Sequence, residues 1–173
     1  EMELGDAIIV NGSIGDHGVA ILGARGELGI RPNLPSDCAS LNGLISKVLT
    51  TVNGVRIMRD PTRGGLATTL VEIAEDFHVT LEIDEEAIPI RKEVRGACDI
   101  LGFNPLYLAN EGKVLFIVKK ECEEQVLELL QEHELGKSAA IIGRVTEKGK
   151  GRLLLKTGIG STRALHRLSG MML

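Results

Sequence analysis

Aromatic side chains make up only 2% of the 173 residues: Phe77, Phe103, Tyr107 and Phe116, with no tryptophan. A surface that stacks bases needs more, and no basic stretch accompanies the net charge of −4, so nucleic acid is a poor match. Cysteine is scarce too. Cys38, Cys98 and Cys122 are widely spaced and odd in number, which argues against a disulfide framework or a zinc motif and makes a reducing cytoplasm the natural compartment. Cys98 and Cys122 fall on or near the apolar faces of predicted helices and read as buried structural thiols. No apolar run reaches the length of a membrane-spanning helix, and no signal peptide is visible. What remains is ordinary for a soluble globule: 43% apolar and 25% charged residues, with an aliphatic core large enough to need no staples.

Glycine is abundant, at 21 residues, and falls where elements end or charged motifs lie. Ala7–Val10 reads as a short buried strand, followed by a glycine-rich turn and a short helix through Arg25. Gly26–Asp37 reads as loop. Apolar residues from Leu41 to Val52 repeat at helical spacing, with Ser40 as N-cap and Asn53-Gly54 as stop. Val55–Met58 is a strand, Leu66–Phe77 a helix, Val79–Ile83 an alternating strand and Arg91–Leu101 a shorter helix. Val114–Val118 reads as a central strand and Glu121–His133 as a helix with an acidic start and a solvated charged face. Ala139–Val145 and Leu153–Leu155 are strands joined by a hairpin at Lys148-Gly149-Lys150-Gly151. The order predicts an α/β (α+β) layered domain, a mixed sheet flanked by helices, spanning residues 1–173.

Three motifs carry chemistry. Gly15-Asp16-His17-Gly18 sets a carboxylate and an imidazole between glycines. It reads either as a polar site, with His17 as proton carrier, or as a turn in which Asp16 caps the next helix. In Asp60-Pro61-Thr62-Arg63-Gly64-Gly65, the guanidinium of Arg63 suits phosphate or carboxylate, and Gly64-Gly65 leave a helix start open for an anion. It is neither a Walker A loop nor a dinucleotide fingerprint. The other reading is a capped helix with Asp60 and Arg63 in an ion pair. In Asn110-Glu111-Gly112-Lys113, Glu111 lies beside an apolar strand, where burial would raise its pKa and make it an acid or base; the other reading is a solvated loop. His78, His133 and His166 are scattered and read as surface or helix-end residues, with no metal-ligand spacing.

These strings, with Ser36-Asp37-Cys38, Asp60 through Ala67, Val94 through Lys113 and Ala139-Ala140-Ile141-Ile142-Gly143, resemble the HypE family of hydrogenase expression/formation proteins, in order over nearly the whole chain. The resemblance implies the C-terminal domain of that family, similar to the C-terminal domain of aminoimidazole ribonucleotide synthetase, in a superfamily that includes selenophosphate synthetase. It implies an ATP-dependent carbamoyl dehydratase: a carboxamide on a C-terminal cysteine is dehydrated to a thiocyanate, whose cyano group goes to the iron of [NiFe]-hydrogenase. ATP and Mg2+ would be bound mainly by an N-terminal domain, with no cofactor expected in this piece alone. The implied partners are the carbamoyltransferase HypF, a HypC–HypD scaffold complex and a second copy in a homodimer. Glu111 would accept the proton. Arg63, Gly64 and Gly65 would hold phosphate or the carboxamide oxygen, and Asp16, His17, Asp60 and Asn110 would position the tail. The family ends in Pro-Arg-Ile-Cys; this chain, which starts without methionine and stops at Leu173, lacks that tail and the ATP domain, so it is expected to be a catalytically silent piece of a longer protein. Two alternatives stand beside this: another synthetase of the superfamily acting on a small amide or selenide, and a non-catalytic docking module for maturation partners.

Overall fold

A computed structural model describes residues 1–26, 29 and 34–168. Part of the 26–37 loop and the terminal Met171-Met172-Leu173 lie outside the described residues. The strands are β1 (Ala7–Val10), β2 (Val55–Arg59), β3 (Val79–Asp84), β4 (Leu115–Val118), β5 (Ala140–Lys148), β6 (Arg152–Lys156) and β7 (Thr162–Leu165). The helices are α1 (Asp16–Ala24), α2 (Asn42–Thr51), α3 (Gly65–Phe77), α4 (Lys92–Leu101) and α5 (Glu123–Glu132). All strands join one seven-stranded sheet in the order β2-β4-β1-β5-β3-β6-β7. Only β3 and β6 run parallel, so the sheet is mixed as expected.

Side-chain alternation explains why β1 and β4 are apolar at every position. Ile8, Val10, Leu115 and Ile117 pack beneath α3, through Leu66, Leu70 and Ile73. Their alternate neighbours Ala7, Ile9, Phe116 and Val118 face α2 and α5, through Leu44, Val48, Val126 and Leu130. A strand buried on both faces has no polar face to keep. A third, smaller apolar cluster joins α1 to α4 around Leu108.

Three expectations need correction. The Lys148–Gly151 turn does not close a hairpin. β3 lies between β5 and β6, with Val79 opposite Lys148 and Thr80 opposite Arg152. The glycine-rich turn steps across the start of β3, where the Gly149 N–H donates to the His78 carbonyl (2.7 Å). Ser40 does not cap α2; the N-cap is Leu41, and the Ser40 hydroxyl donates to Asn42 Oδ1 (2.8 Å). The edge strand β7 was not anticipated, because Thr162-Arg163-Ala164-Leu165 is mostly exposed and shows little apolar alternation.

Candidate active site

β1 and β2 each run antiparallel to β4, so Val10 and Arg59 both lie opposite Leu115. Antiparallel pairing therefore brings the loop after β1, the loop after β2 and the loop before β4 to one end of the sheet. These are the three motif-bearing loops.

Two buried asparagines tie them together. Asn110 Oδ1 accepts from the Gly15 N–H (2.8 Å), while its amide donates to the carbonyls of Pro61 (2.9 Å) and Leu108 (3.1 Å). Asn11 Oδ1 accepts from the Val114 N–H (2.8 Å), and its amide donates to the carbonyls of Gly112 (3.3 Å) and Leu135 (2.9 Å). Inside the fold each bond also relieves the desolvation of a backbone group. Asn110, expected to position substrate, thus spends its amide on the protein.

The segment around Asp37 closes over these loops. Asp37 Oδ1 accepts from the Glu111 N–H (3.1 Å) and Oδ2 from Lys113 Nζ (2.9 Å), with both side chains of the ion pair buried. This closure sets Ser36 Oγ 2.8 Å from His17 Nδ1, with Cys38 Sγ 3.1 Å from Ser36 Oγ and 3.9 Å from His17 Nδ1. His17 Nε2 faces Glu111 Oε1 at 4.0 Å. One imidazole nitrogen thus meets a hydroxyl and a thiol, the other a carboxylate. The sequence shows no Cys/His pairing within one motif; the pairing arises between motifs.

Of the two readings of this loop, the structure takes neither whole: the Glu111 side chain is 45% exposed, while Lys113 is buried. Asn110 and Gly112, on either side of Glu111, take interior positions too. Asp16, at 2% exposure, is a second buried carboxyl of the site. It does not cap α1: the N-cap is Gly15, with φ of 83°, and no side chain caps the helix. Asp16 Oδ2 accepts from the Ser13 hydroxyl (2.6 Å) and faces Arg91 Nε at 3.3 Å, while Oδ1 is buried without a hydrogen-bond partner among the described residues. Burial raises its pKa above the usual 3.8; the Ser13 hydrogen bond and the charges of Arg91 and Lys113 only partly oppose this, and Asp37 adds to it. Asp16, Ser13, Ser36, Asp37, Cys38 and Lys113 share a cavity of about 320 Å3.

This arrangement carries a testable linkage. A carboxyl with a raised folded-state pKa contributes stability that is fully present below its ordinary 3.8 and lost as pH rises through the raised value. Asp16→Asn keeps the oxygen that Ser13 donates to and removes the buried charge. Thermal melts at neutral pH are expected to show the variant at least as stable as the parent, with its advantage shrinking as pH falls toward 4. An advantage that grows on acidification would refute this account.

The loop after β2 differs from its anticipated form. Gly64 and Gly65 have φ of 74° and 67° and are buried. A Cβ on Gly65 would lie 2.6 Å from the carbonyl oxygens of both Leu106 and Leu108, and one on Gly64 2.5 Å from Thr68 Oγ1. The Gly65 N–H donates to the Thr62 carbonyl (3.2 Å). The glycines therefore have a packing reason, and the Gly65 N–H is taken up by its own chain. Asp60 and Arg63 are exposed. The ion pair of the alternative reading is absent among the described residues, and Asp60 accepts instead from the Thr62 hydroxyl (3.4 Å). No hydrogen bond links either to His17 or Glu111 among the described residues. His78 ends α3 with φ of 52°, His133 accepts from the Leu135 N–H through Nδ1 (3.2 Å), and His166 is exposed. No group of three or more His, Cys, Asp or Glu is placed to hold a metal ion among the described residues.

Residues 3–156 match the family described as AIR synthase related protein, C-terminal domain. The chain belongs to that family. Within it, the chain is 51% identical to a putative hydrogenase expression/formation protein of Methanocaldococcus jannaschii, covering 90% of this chain and 46% of the relative. It is 45% identical to the carbamoyl dehydratase HypE of Azotobacter vinelandii, covering 96% and 49%. Its fold matches the crystal structure of HypE in complex with ATP (TM-score 0.91, 42% identity, 97% of this chain and 52% of that one). It also matches the structure of a HypE–HypF complex (TM-score 0.90, 41% identity, 96% and 54%). The resemblance read from the motifs is thereby borne out, and so is the layered fold with a mixed sheet. The chain spans about half the length of the curated relatives it matches. Asp16, His17, Asn110 and Glu111 stand together in this AIR synthase-related domain; Asp60 and Arg63 lie on the adjoining loop. Ser13, Ser36, Asp37, Cys38, Arg91 and Lys113 had no assigned role from sequence, although the Ser36-Asp37-Cys38 string was part of the resemblance.

Proposed function

We propose that this chain is the C-terminal half of an ATP-dependent carbamoyl dehydratase of [NiFe]-hydrogenase maturation, converting a carboxamide carried on a cysteine sulfur into a thiocyanate. The observation that carries the reading is the Glu111–His17 pair at 4.0 Å, beside a cavity walled by a buried carboxyl, in a chain 45% identical to a carbamoyl dehydratase.

Dehydrating a primary carboxamide requires both N–H protons to leave the nitrogen and the oxygen to depart. ATP, when bound, supplies the phosphoryl group that makes this oxygen a leaving group. Among these residues the fit to its phosphates is Arg63, an exposed guanidinium without a carboxylate partner among the described residues, at the helix start formed by Gly64 and Gly65. Glu111 is the proton acceptor. Exposed at the site's edge, it takes a proton from the substrate nitrogen, and His17 orients the carboxylate and passes the proton toward solvent. Asn110 and Asp37 hold the loops that present these two groups. Asp16 and Asp60 act on the tail, and Mg2+ accompanies the nucleotide in the full-length protein.

HypF, seen with HypE in the matched complex, is the proposed carbamoyl donor partner. A HypC–HypD scaffold would receive the cyano group, and a homodimer would complete the enzyme in the cytoplasm. Among the described residues no helix is long and apolar enough to cross a membrane. The chain alone is proposed to be inactive.

The test is the intact mass of the full-length protein's C-terminal peptide, after incubation with a carbamoyl donor and the carbamoyltransferase, then ATP. Loss of one water from a carbamoylated terminal cysteine, only with ATP, is the expected result. A parent without that cysteine, or without ATP-dependent mass loss, would transfer the proposal to a synthetase acting on a free small amide or selenide.

A further inference from the structure

The two ring nitrogens of His17 stand in unlike surroundings. Nδ1 lies 2.8 Å from Ser36 Oγ, within hydrogen-bond reach, while Nε2 faces Glu111 Oε1 at 4.0 Å, beyond it. A neutral imidazole carries one ring proton, and the nitrogen that holds it is fixed by the hydrogen bonds the ring makes. Only the bare nitrogen can take a proton from a neighbour.

Ser36 selects the nitrogen. Its hydroxyl has one proton to give and two lone pairs to offer. The proton goes to Cys38 Sγ (3.1 Å), and one lone pair accepts from the Cys38 N–H (3.3 Å). The lone pair that remains can bond Nδ1 only if Nδ1 carries the ring proton; otherwise two lone pairs would face each other at 2.8 Å. The far side of the ring agrees. An N–H at Nε2 beside a carboxylate would make a charge-assisted bond of about 2.7–2.9 Å, and the separation from Glu111 is 4.0 Å. Ser36 is held in place by its neighbour Asp37, whose carboxylate accepts from the Glu111 N–H and from Lys113. The segment carrying Ser36 is thus anchored to the loop carrying Glu111, with the ring between them.

We propose that Ser36 is a positioning residue that holds neutral His17 as its Nδ1–H tautomer and so leaves Nε2 bare toward Glu111. The use of this tautomer in catalysis rests on the dehydratase reading; the tautomer itself rests on the hydrogen bonds alone. Glu111, having taken a proton from the substrate nitrogen, hands it to Nε2. The ring becomes an imidazolium with an N–H on each side, Glu111 is a carboxylate again, and the ring returns to neutral by losing a proton to water. A ring held as the Nε2–H tautomer has no lone pair on that side, and Glu111 would stay protonated until solvent took its proton. Histidine in water favours the Nε2–H form, so the arrangement opposes the intrinsic preference and needs the Ser36 oxygen to maintain it.

The test labels the full-length protein with isotope-enriched histidine and reads the ring nitrogens by NMR at about pH 8.5, about two units above the ordinary histidine value. The His17 signals are assigned by their loss in His17→Gln. His17 is expected as the Nδ1–H tautomer in the parent and in Ser36→Thr, and as the Nε2–H tautomer in Ser36→Ala. Nitrile formation, followed by intact mass, is expected to fall about tenfold in Ser36→Ala at unchanged ATP affinity, and to recover in Ser36→Thr. Should circular dichroism show Ser36→Ala misfolded, Cys38→Ala serves in its place: without the sulfur the Ser36 proton turns to Nδ1, and the same exchange of tautomers is expected. An Nε2–H ring in the parent, or a tautomer left unchanged by Ser36→Ala, would overturn the assignment. A tautomer that changes with no change in nitrile formation would overturn the positioning role. A parent with the Nδ1–H ring that forms no nitrile would sustain the tautomer and remove the dehydratase reading instead.

Discussion

Glu111→Gln in the full-length protein is expected to lower nitrile formation by about 100-fold or more while ATP affinity stays the same. The substitution keeps the side chain's size and leaves the backbone N–H on Asp37 Oδ1. It removes only the capacity to take a proton, and because the side chain is 45% exposed the fold should not notice. The dehydrated C-terminal peptide, followed by intact mass, reports the chemistry; calorimetric titration with ATP reports binding; a thermal melt reports the fold. Unimpaired turnover would remove Glu111 from the reaction and favour the docking-module reading.

Gly112→Ala is expected to abolish activity by a different route, with a stability loss of about 3 kcal/mol. A Cβ at Gly112 would lie 1.7 Å from the Asp37 carbonyl oxygen and 2.9 Å from its carbon. Backbone atoms cannot yield as a side-chain tip can, so the 36–38 segment must lift away. That movement draws Asp37 from Lys113, parting a buried ion pair, and carries Ser36 and Cys38 from His17. The two variants therefore separate by stability: Glu111→Gln loses activity at an unchanged melting temperature, and Gly112→Ala loses both. Gly96→Ala is the control. It lies within α4 with nothing within 4 Å of its would-be Cβ, so neutral or slightly increased stability is expected from helix propensity. A Gly112→Ala protein as stable and active as the parent would mean that the contact with Asp37 is not what shapes this site.

Much of the fold was legible because helix and strand periodicities are local. The stripes at Leu44 and Val48, at Leu66, Leu70 and Ile73, and at Val94 and Cys98 each declare a helix without reference to the rest of the chain. The continuous apolar runs of β1 and β4 are legible in the same way, since burial on both faces leaves no polar alternate. Motif chemistry was also legible, in that the Asp16–His17, Asp60–Gly65 and Asn110–Lys113 strings supply carboxylates, an imidazole, a guanidinium and an amide.

Only the tertiary structure decided which of those groups meet and which are buried. Whether two strands flanking a glycine turn pair with each other depends on what else is available to pair with either. Here β3 intervenes, with one edge for β5 and the other for β6. Proximity to an apolar strand left burial and exposure of Glu111 both open; a loop turns its side chains individually, and its anchors to Asn11, Gly15 and Asp37 point Glu111 outward while Asp16 is enclosed. The approach of Ser36 and Cys38 to His17 spans chain separations of 19 and 21 residues. It depends on Asp37 binding Glu111 and Lys113 more than seventy residues further on. The sequence by itself determined the elements and the chemical groups, because each is written in neighbouring residues. The tertiary structure decided the constellation, because contact and desolvation belong to pairs of segments that no local pattern connects.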